Sequence, residues 1–148
     1  MFRGSSFHTI DVKGRLIIPA RFRDVLKAGG GDGVMVTKMD SSLFAYTYEG
    51  WKEVEARILA VAEKGESMRR FRRIFVGGAS DCPCDKQGRI LIPPLLREYA
   101  GVKKDIVLVG VLDHFEIWAR QKWETENKQL EDDMMKEEVI REIAKLGL

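Results

Sequence analysis

Cysteine is scarce in this 148-residue chain and so is histidine, with two of each. Cys82 and Cys84 do not make a disulfide framework, and a single intervening residue disfavours an unstrained bridge between them. Zinc centres usually need four ligands, with cysteines two to four residues apart. His8 and His114 are the remaining candidates and lack ligand spacing, so the pair reads as free thiols, and neither metal nor cofactor is expected. No stretch approaches 18 uninterrupted apolar residues, and the opening residues Met1 to Ser6 lack the apolar run of a signal peptide. The expectation is a soluble, cytoplasmic protein with no membrane contact. Catalytic signatures are missing too. There is no nucleophile-elbow serine, no phosphate loop ending in Gly-Lys-Ser/Thr and no His-x-x-x-His. Gly29 to Gly33 follows an expected helix rather than a strand, so it is no dinucleotide fingerprint. Neither an enzyme nor a small-molecule substrate is expected.

What the chain does contain is a duplication. Asp11-Val-Lys-Gly-Arg15-Leu-Ile-Ile-Pro19-Ala-Arg-Phe-Arg23 returns 74 residues later as Asp85-Lys-Gln-Gly-Arg89-Ile-Leu-Ile-Pro93-Pro-Leu-Leu-Arg97. Six of the thirteen aligned positions are identical, where chance gives roughly one. Each copy has a local physical reading. Asp11 or Asp85 can accept hydrogen bonds from nearby backbone amides, and Gly14 or Gly88 supplies positive φ, which together make a tight turn. The apolar run that follows is a short strand, ended by Pro19 or Pro93 at the start of a short helix. Helices are expected over 19–27 and 93–100, capped by Gly29 and Gly101. Residues 2–10 should pair with 15–18 across the first hairpin.

Further strands are expected at 34–37, 43–47, 106–109 and 115–118. Trp51 follows Tyr46 by five residues and Trp123 follows Trp118 by five, so the duplication extends into a further helix. Both tryptophans read as packing residues. Trp51, Val54, Ile58 and Val61 have the spacing of one apolar helical face. The segmentation is a first repeat with its helix at 1–66, an Arg-rich connection and strand at 67–80, a second repeat at 81–124, and an acidic helix at 125–148. Neither copy can bury both sheet faces alone, so the two should interlock about a pseudo-twofold axis into one α+β, barrel-like body.

Net charge is only +2, but it is polarised. Residues 1–75 hold 14 Lys/Arg against 9 Asp/Glu, and residues 76–148 hold 11 against 14. Lys13, Arg15, Arg21 and Arg23, with Arg3 nearby, cluster around the first turn. A two-stranded ribbon fits the DNA major groove, where Arg reads guanine edges and Lys holds phosphate. The competing reading is structural, with Arg15 pairing to Asp11 merely to hold the loop. In the second copy Lys86, Arg89 and Arg97 persist in a less basic turn. Arg69, Arg70, Arg72 and Arg73 form either a solvated helix face, a nucleic-acid contact or a salt-bridging surface for the acidic C-terminal helix.

Phe2-Arg-Gly4, His8-Thr9, Asp11 to Arg15, Ile18-Pro19, Phe22-Arg23, Asp85 to Pro94 and Phe115-Glu-Ile-Trp118 closely resemble the MraZ family, over nearly the whole chain to about Trp123. That resemblance implies two SpoVT/AbrB-like swapped-hairpin repeats, and a transcriptional regulator of the division and cell-wall gene cluster. It also implies binding to short direct repeats in a promoter, commonly the protein's own, by a homo-oligomeric closed ring at the nucleoid. The residues assigned to double-stranded DNA are Arg3, Lys13, Arg15, Arg21, Arg23, Lys86 and Arg89. Asp11, Gly14, Pro19, Asp85, Gly88 and Pro93 form the structural motif. Two alternatives stay open: an antitoxin-type DNA-binding protein, which the same hairpin type resembles, and an oligomeric protein-interaction scaffold that binds no DNA.

Overall fold

Each turn of the duplicated motif folds as its residues dictate. In the computed structural model, which describes residues 1–61 and 65–148, Gly14 has φ +91° and Gly88 φ +77°. Both lie in the left-handed region that glycine enters without a Cβ penalty. Asp11 Oδ1 accepts from the amides of Lys13 and Arg15, and Asp85 Oδ1 from those of Gln87 and Arg89, at 2.9–3.0 Å. After each turn come a three-residue strand and a proline. Pro19 and Pro93 have φ −57° and −59° and sit at the N-cap, one residue ahead of helices that begin at Ala20 and Pro94.

The described elements are β1 (Ser5–Thr9), β2 (Arg15–Ile17), α1 (Ala20–Ala28), β3 (Gly33–Met39), β4 (Ser42–Tyr46), α2 (Tyr48–Ala60) and α3 (Gly65–Gly77), then β5 (Ser80–Pro83), β6 (Arg89–Leu91), α4 (Pro94–Ala100), β7 (Asp105–Gly110), β8 (Phe115–Ala119), α5 (Arg120–Asp133) and α6 (Glu137–Ala144). Two antiparallel sheets result, one six-stranded in the order β1-β7-β8-β4-β3-β5 and one two-stranded, β2-β6. The α+β class follows from this mixture of sheet and helix.

The pairing exchanges strands between the halves. β1 lies on β7 of the second half, β5 on β3 of the first, and β2 on β6. The expected hairpin between residues 2–10 and 15–18 is therefore corrected. Only a single Ile10–Leu16 bridge joins them, and the Ile10 amide bonds to the Lys104 carbonyl instead. The side chains explain the exchange. Leu16, Ile18, Phe22 and Leu26 and their counterparts Ile90, Ile92, Leu96 and Ala100 are all buried in one core with Phe2, Ile106, Leu108, Phe115 and Ile117. Removing that much apolar surface from water requires both halves. Phe2, Phe22 and Phe115 meet there with ring centroids 5.1–5.2 Å apart.

The helices bear on three further expectations. Gly29 and Gly101 cap α1 and α4 as expected, Gly29 with φ −97° and Gly101 in the left-handed region at +66°. The arginine run lies at the end of a helix that runs on into a strand: α3 continues to Gly77 and β5 starts at Ser80, so all four arginines are helical. The acidic C-terminal segment is two helices, interrupted at Met134–Lys136. Trp51 is buried against Tyr46 and Phe75, whereas Trp123 is half-exposed beside Trp118. Among the described residues, no helix is long and apolar enough to cross a membrane.

Candidate nucleic-acid interface

The register of β2 on β6 decides which side chains share a face. Arg15 stands opposite Leu91, Leu16 opposite Ile90, and Ile17 opposite Arg89. Because side chains alternate along a strand, Leu16 and Ile90 point into the core and the other four point out. Leu16 and Ile90 are 0% and 1% exposed, whereas Ile17 and Leu91 are 59% and 56% exposed. The outer face of this ribbon thus carries two arginines and two aliphatic side chains. Antiparallel pairing places the Asp11–Gly14 turn at one end and the Asp85–Gly88 turn at the other.

The arginines are held in the same way. Arg15 Nε donates to Asp11 Oδ2 at 2.7 Å, and Arg89 Nε donates to Asp85 Oδ2 at 2.9 Å. These bonds occupy the flank of each guanidinium and leave both terminal amino groups without a protein partner among the described residues. The structural and functional readings of the motif are therefore compatible. A carboxylate fixes the orientation of the fork, and the fork remains available for a planar acceptor pair. Backbone amide bonds from Arg15 and Arg89, followed by those guanidinium bonds, hold Asp11 and Asp85 below the ordinary carboxylate range. Lys13 and Lys86 are exposed in the turns, and neither ammonium has a partner among the described residues.

The other basic residues lie elsewhere. Arg21 is exposed on α1, donates from Nη2 to Ser6 Oγ at 3.1 Å and covers the Phe22 ring at 4.7 Å. It belongs with β1, where Ser6 Oγ also meets His8 Nε2 at 2.7 Å. Arg3 is exposed just ahead of β1. Arg23 is engaged within the fold. Its Nη2 bonds Asp32 Oδ2 at 2.7 Å, and the side chain lies against Gly88 of the opposite turn. Sequence reasoning missed Asp32 as its partner. The recurrence of this arginine as Arg97 was the available signal, because both copies use it to cover a glycine.

Cys82 is buried in β5 and Cys84 is half-buried, and burial pushes both thiols up to about 11. No group of three His, Cys, Asp or Glu among the described residues is placed to hold a metal ion. His114 stacks between Phe44 and Tyr46, at 4.6 and 5.3 Å, and both its ring nitrogens meet carboxylates.

A family model described as "MraZ protein, putative antitoxin-like" matches the chain twice, over residues 1–74 and 75–142. The chain belongs to the MraZ family. Several proteins named "Transcriptional regulator MraZ" match over their full length and that of the chain. The relative in Desulforapulum autotrophicum is 60% identical over 148 residues, covering 100% of both. Those in Desulfosudis oleivorans and Acetivibrio thermocellus are 54% and 41% identical over 149 residues, again covering 100% of both. The two family matches meet inside α3, so the exchanged strand pairs are contacts between two MraZ units.

Proposed function

We propose that this MraZ-family protein is a non-catalytic, sequence-specific DNA-binding transcriptional regulator whose reading element is the β2/β6 ribbon. The observation that carries this reading is the pair of half-exposed guanidinium groups on the outer face of the ribbon, each steadied at Nε by its own aspartate and with no other partner for its fork among the described residues. A major groove accepts a two-stranded ribbon, and an open arginine fork matches the O6 and N7 acceptors of guanine. Ile17 and Leu91 lie between the forks, where they suit thymine methyl groups. Lys13 and Lys86 reach phosphates at either end, with Arg3 and Arg21 as outlying phosphate contacts. Arg23, committed to Asp32, supports the second turn from within.

The architecture is the pseudo-twofold, swapped-hairpin body of SpoVT/AbrB-like repeats, with units at 1–66 and 81–124 joined through 67–80 and an acidic segment at 125–148. One ribbon makes few contacts, so a homo-oligomeric ring engages successive short direct repeats through effective concentration. The target is promoter DNA of the division and cell-wall gene cluster, the protein's own promoter included, and the site of action is the cytoplasmic nucleoid. The full regulator names of the relatives support the reading.

Footprinting on DNA upstream of the protein's own gene tests it. Protection of evenly spaced short repeats, abolished by Lys13→Ala/Arg15→Ala, is the expected result. A protein-interaction scaffold would give no footprint to lose.

A further inference from the structure

Helices α2 and α3 leave an apolar surface open between them. A groove of about 280 Å³ runs there, walled by Ile58, Val61, Met68 and Phe71 and flanked by Arg57 and Arg72. Val61 is 59% exposed and Met68 45%. Helix α3 is strongly cationic, carrying four arginines against the single acid Glu66. No lining residue comes from α6 of the same chain.

Helix α6 has the complementary character. Val139, Ile140 and Ile143 form one apolar face, and Glu137, Glu138 and Glu142 outweigh Arg141. None of its side chains is fully buried, and Ile140 is 47% exposed. Eight residues are too few for a helix to persist in water on its own hydrogen bonds, so this one calls for a packing partner.

We infer that α6 of one chain lies, apolar face down, in the α2/α3 groove of a second copy of this chain. Each chain then offers a helix at one end and a groove elsewhere, which is a heterologous contact. Repeated, such contacts close into a ring if the rotation between neighbours permits it. Glu137 and Glu142 border the apolar stripe of α6 on its two sides, and against Arg57 and the cationic α3 at the groove's rim they steer docking and fix its direction. The inference rests on the reading of this protein as a homo-oligomer and supplies that reading with a surface. It also gives the arginine run and the acidic C-terminal segment one shared role.

The test is the solution mass of the full chain at micromolar concentration without DNA, by light scattering on a sizing column. Met68→Glu fouls the groove and Ile140→Glu fouls the helix, both at partly exposed positions, with circular dichroism to verify folding. Each variant alone should be monomeric. Mixed in equal amounts they should give a dimer and nothing larger, because only one intact helix can meet one intact groove. Glu137→Lys/Glu142→Lys probes the same contact without an apolar change, and should weaken assembly about tenfold or more. A monomeric wild type would overturn the oligomer reading itself. An oligomeric wild type whose variants keep the full mass would overturn this contact alone. So would monomeric variants that fail to dimerise on mixing.

Discussion

Arg97 lies across Gly14, and Arg23 lies across Gly88 in return. A Cβ built at Gly14 would come within 2.6 Å of Arg97 Nε and 2.8 Å of the Ile92 carbonyl oxygen; at Gly88 it would come within 2.7 Å of Arg23 Nη1. The backbone repeats the exchange, since the Ile18 amide donates to Gly88 O and the Ile92 amide to Gly14 O, both at 2.9 Å. Each half thus closes the other's turn. Gly14→Ala would combine a left-handed backbone with a collision against a carbonyl that cannot swing aside. The expected cost is about 2–3 kcal/mol of stability, read from urea unfolding. Gly77→Ala, where a methyl meets nothing within 4 Å, should be close to neutral.

The two histidines should titrate on opposite sides of 6.5, their ordinary value. Burial works against a charge on His114, but hydrogen bonds from its ring to Glu116 and Asp113 outweigh it and raise the pKa. Both ring nitrogens face carboxylate oxygens at 2.8 Å, an arrangement satisfied only when both donate. His8 is lowered, first by burial and then by the charge of Arg21. His114 therefore contributes stability that is full below pH 6.5 and lost as pH rises through its raised folded value. His8 contributes stability that is full above pH 6.5 and lost as pH falls toward its lowered value. NMR titration of the two imidazoles gives the order directly, and His114→Gln should remove the loss of stability on the alkaline side.

Cys82 and Cys84 should resist alkylation in the folded protein at pH 8. The thiolate is the nucleophile, and with both thiols near 11 very little of it is present. Cys82 is in addition only 2% exposed. Iodoacetamide followed by mass spectrometry should show both cysteines labelled promptly in denaturant and only slowly without it. Rapid native labelling of Cys84 would contradict its burial beside Arg23 and Asp32.

The sequence was most legible where the cause is local. Asp, Gly and Pro at fixed spacing dictate a turn, a short strand and a helix start, and those elements stand where the motif places them. The amphipathic face of α2 was equally plain from Trp51 and Val54, which are buried, but the helix ends at Ala60 and Val61, expected on the same face, is exposed at its cap. Pairing was less so, because a three-residue strand such as Leu16's accepts any partner that buries its inward side chain. The choice of β6 over β1 depends on residues 74 positions away. Arg23 looked like its basic neighbours for a related reason: only the fold brings Asp32 and Gly88 against it. Ile17 and Leu91 sit inside an apolar run, and just the register of the ribbon turns them outward. The break at Met134 has no proline or glycine to announce it.

The ribbon allows its lysines and arginines to be distinguished by measurement. Lys13 and Lys86 have no partner among the described residues, so removing either should leave folding unchanged and weaken binding to every DNA sequence alike. The plot of log K against log salt should become shallower by about 0.9 for each phosphate that is no longer neutralised per engaged ribbon. Arg15→Ala should behave differently, because an open fork reads a base. Its removal should take away about 1–3 kcal/mol of discrimination at one base pair and lower stability slightly as Asp11 is deprived of its guanidinium partner. Arg89→Ala should match it at a second base pair, since the register sets both arginines on one face. Fluorescence anisotropy across a salt series, on cognate and single-substituted DNA, separates the effects. Should all four substitutions change only the salt slope, the ribbon would be gripping the backbone and some other surface would be reading the sequence.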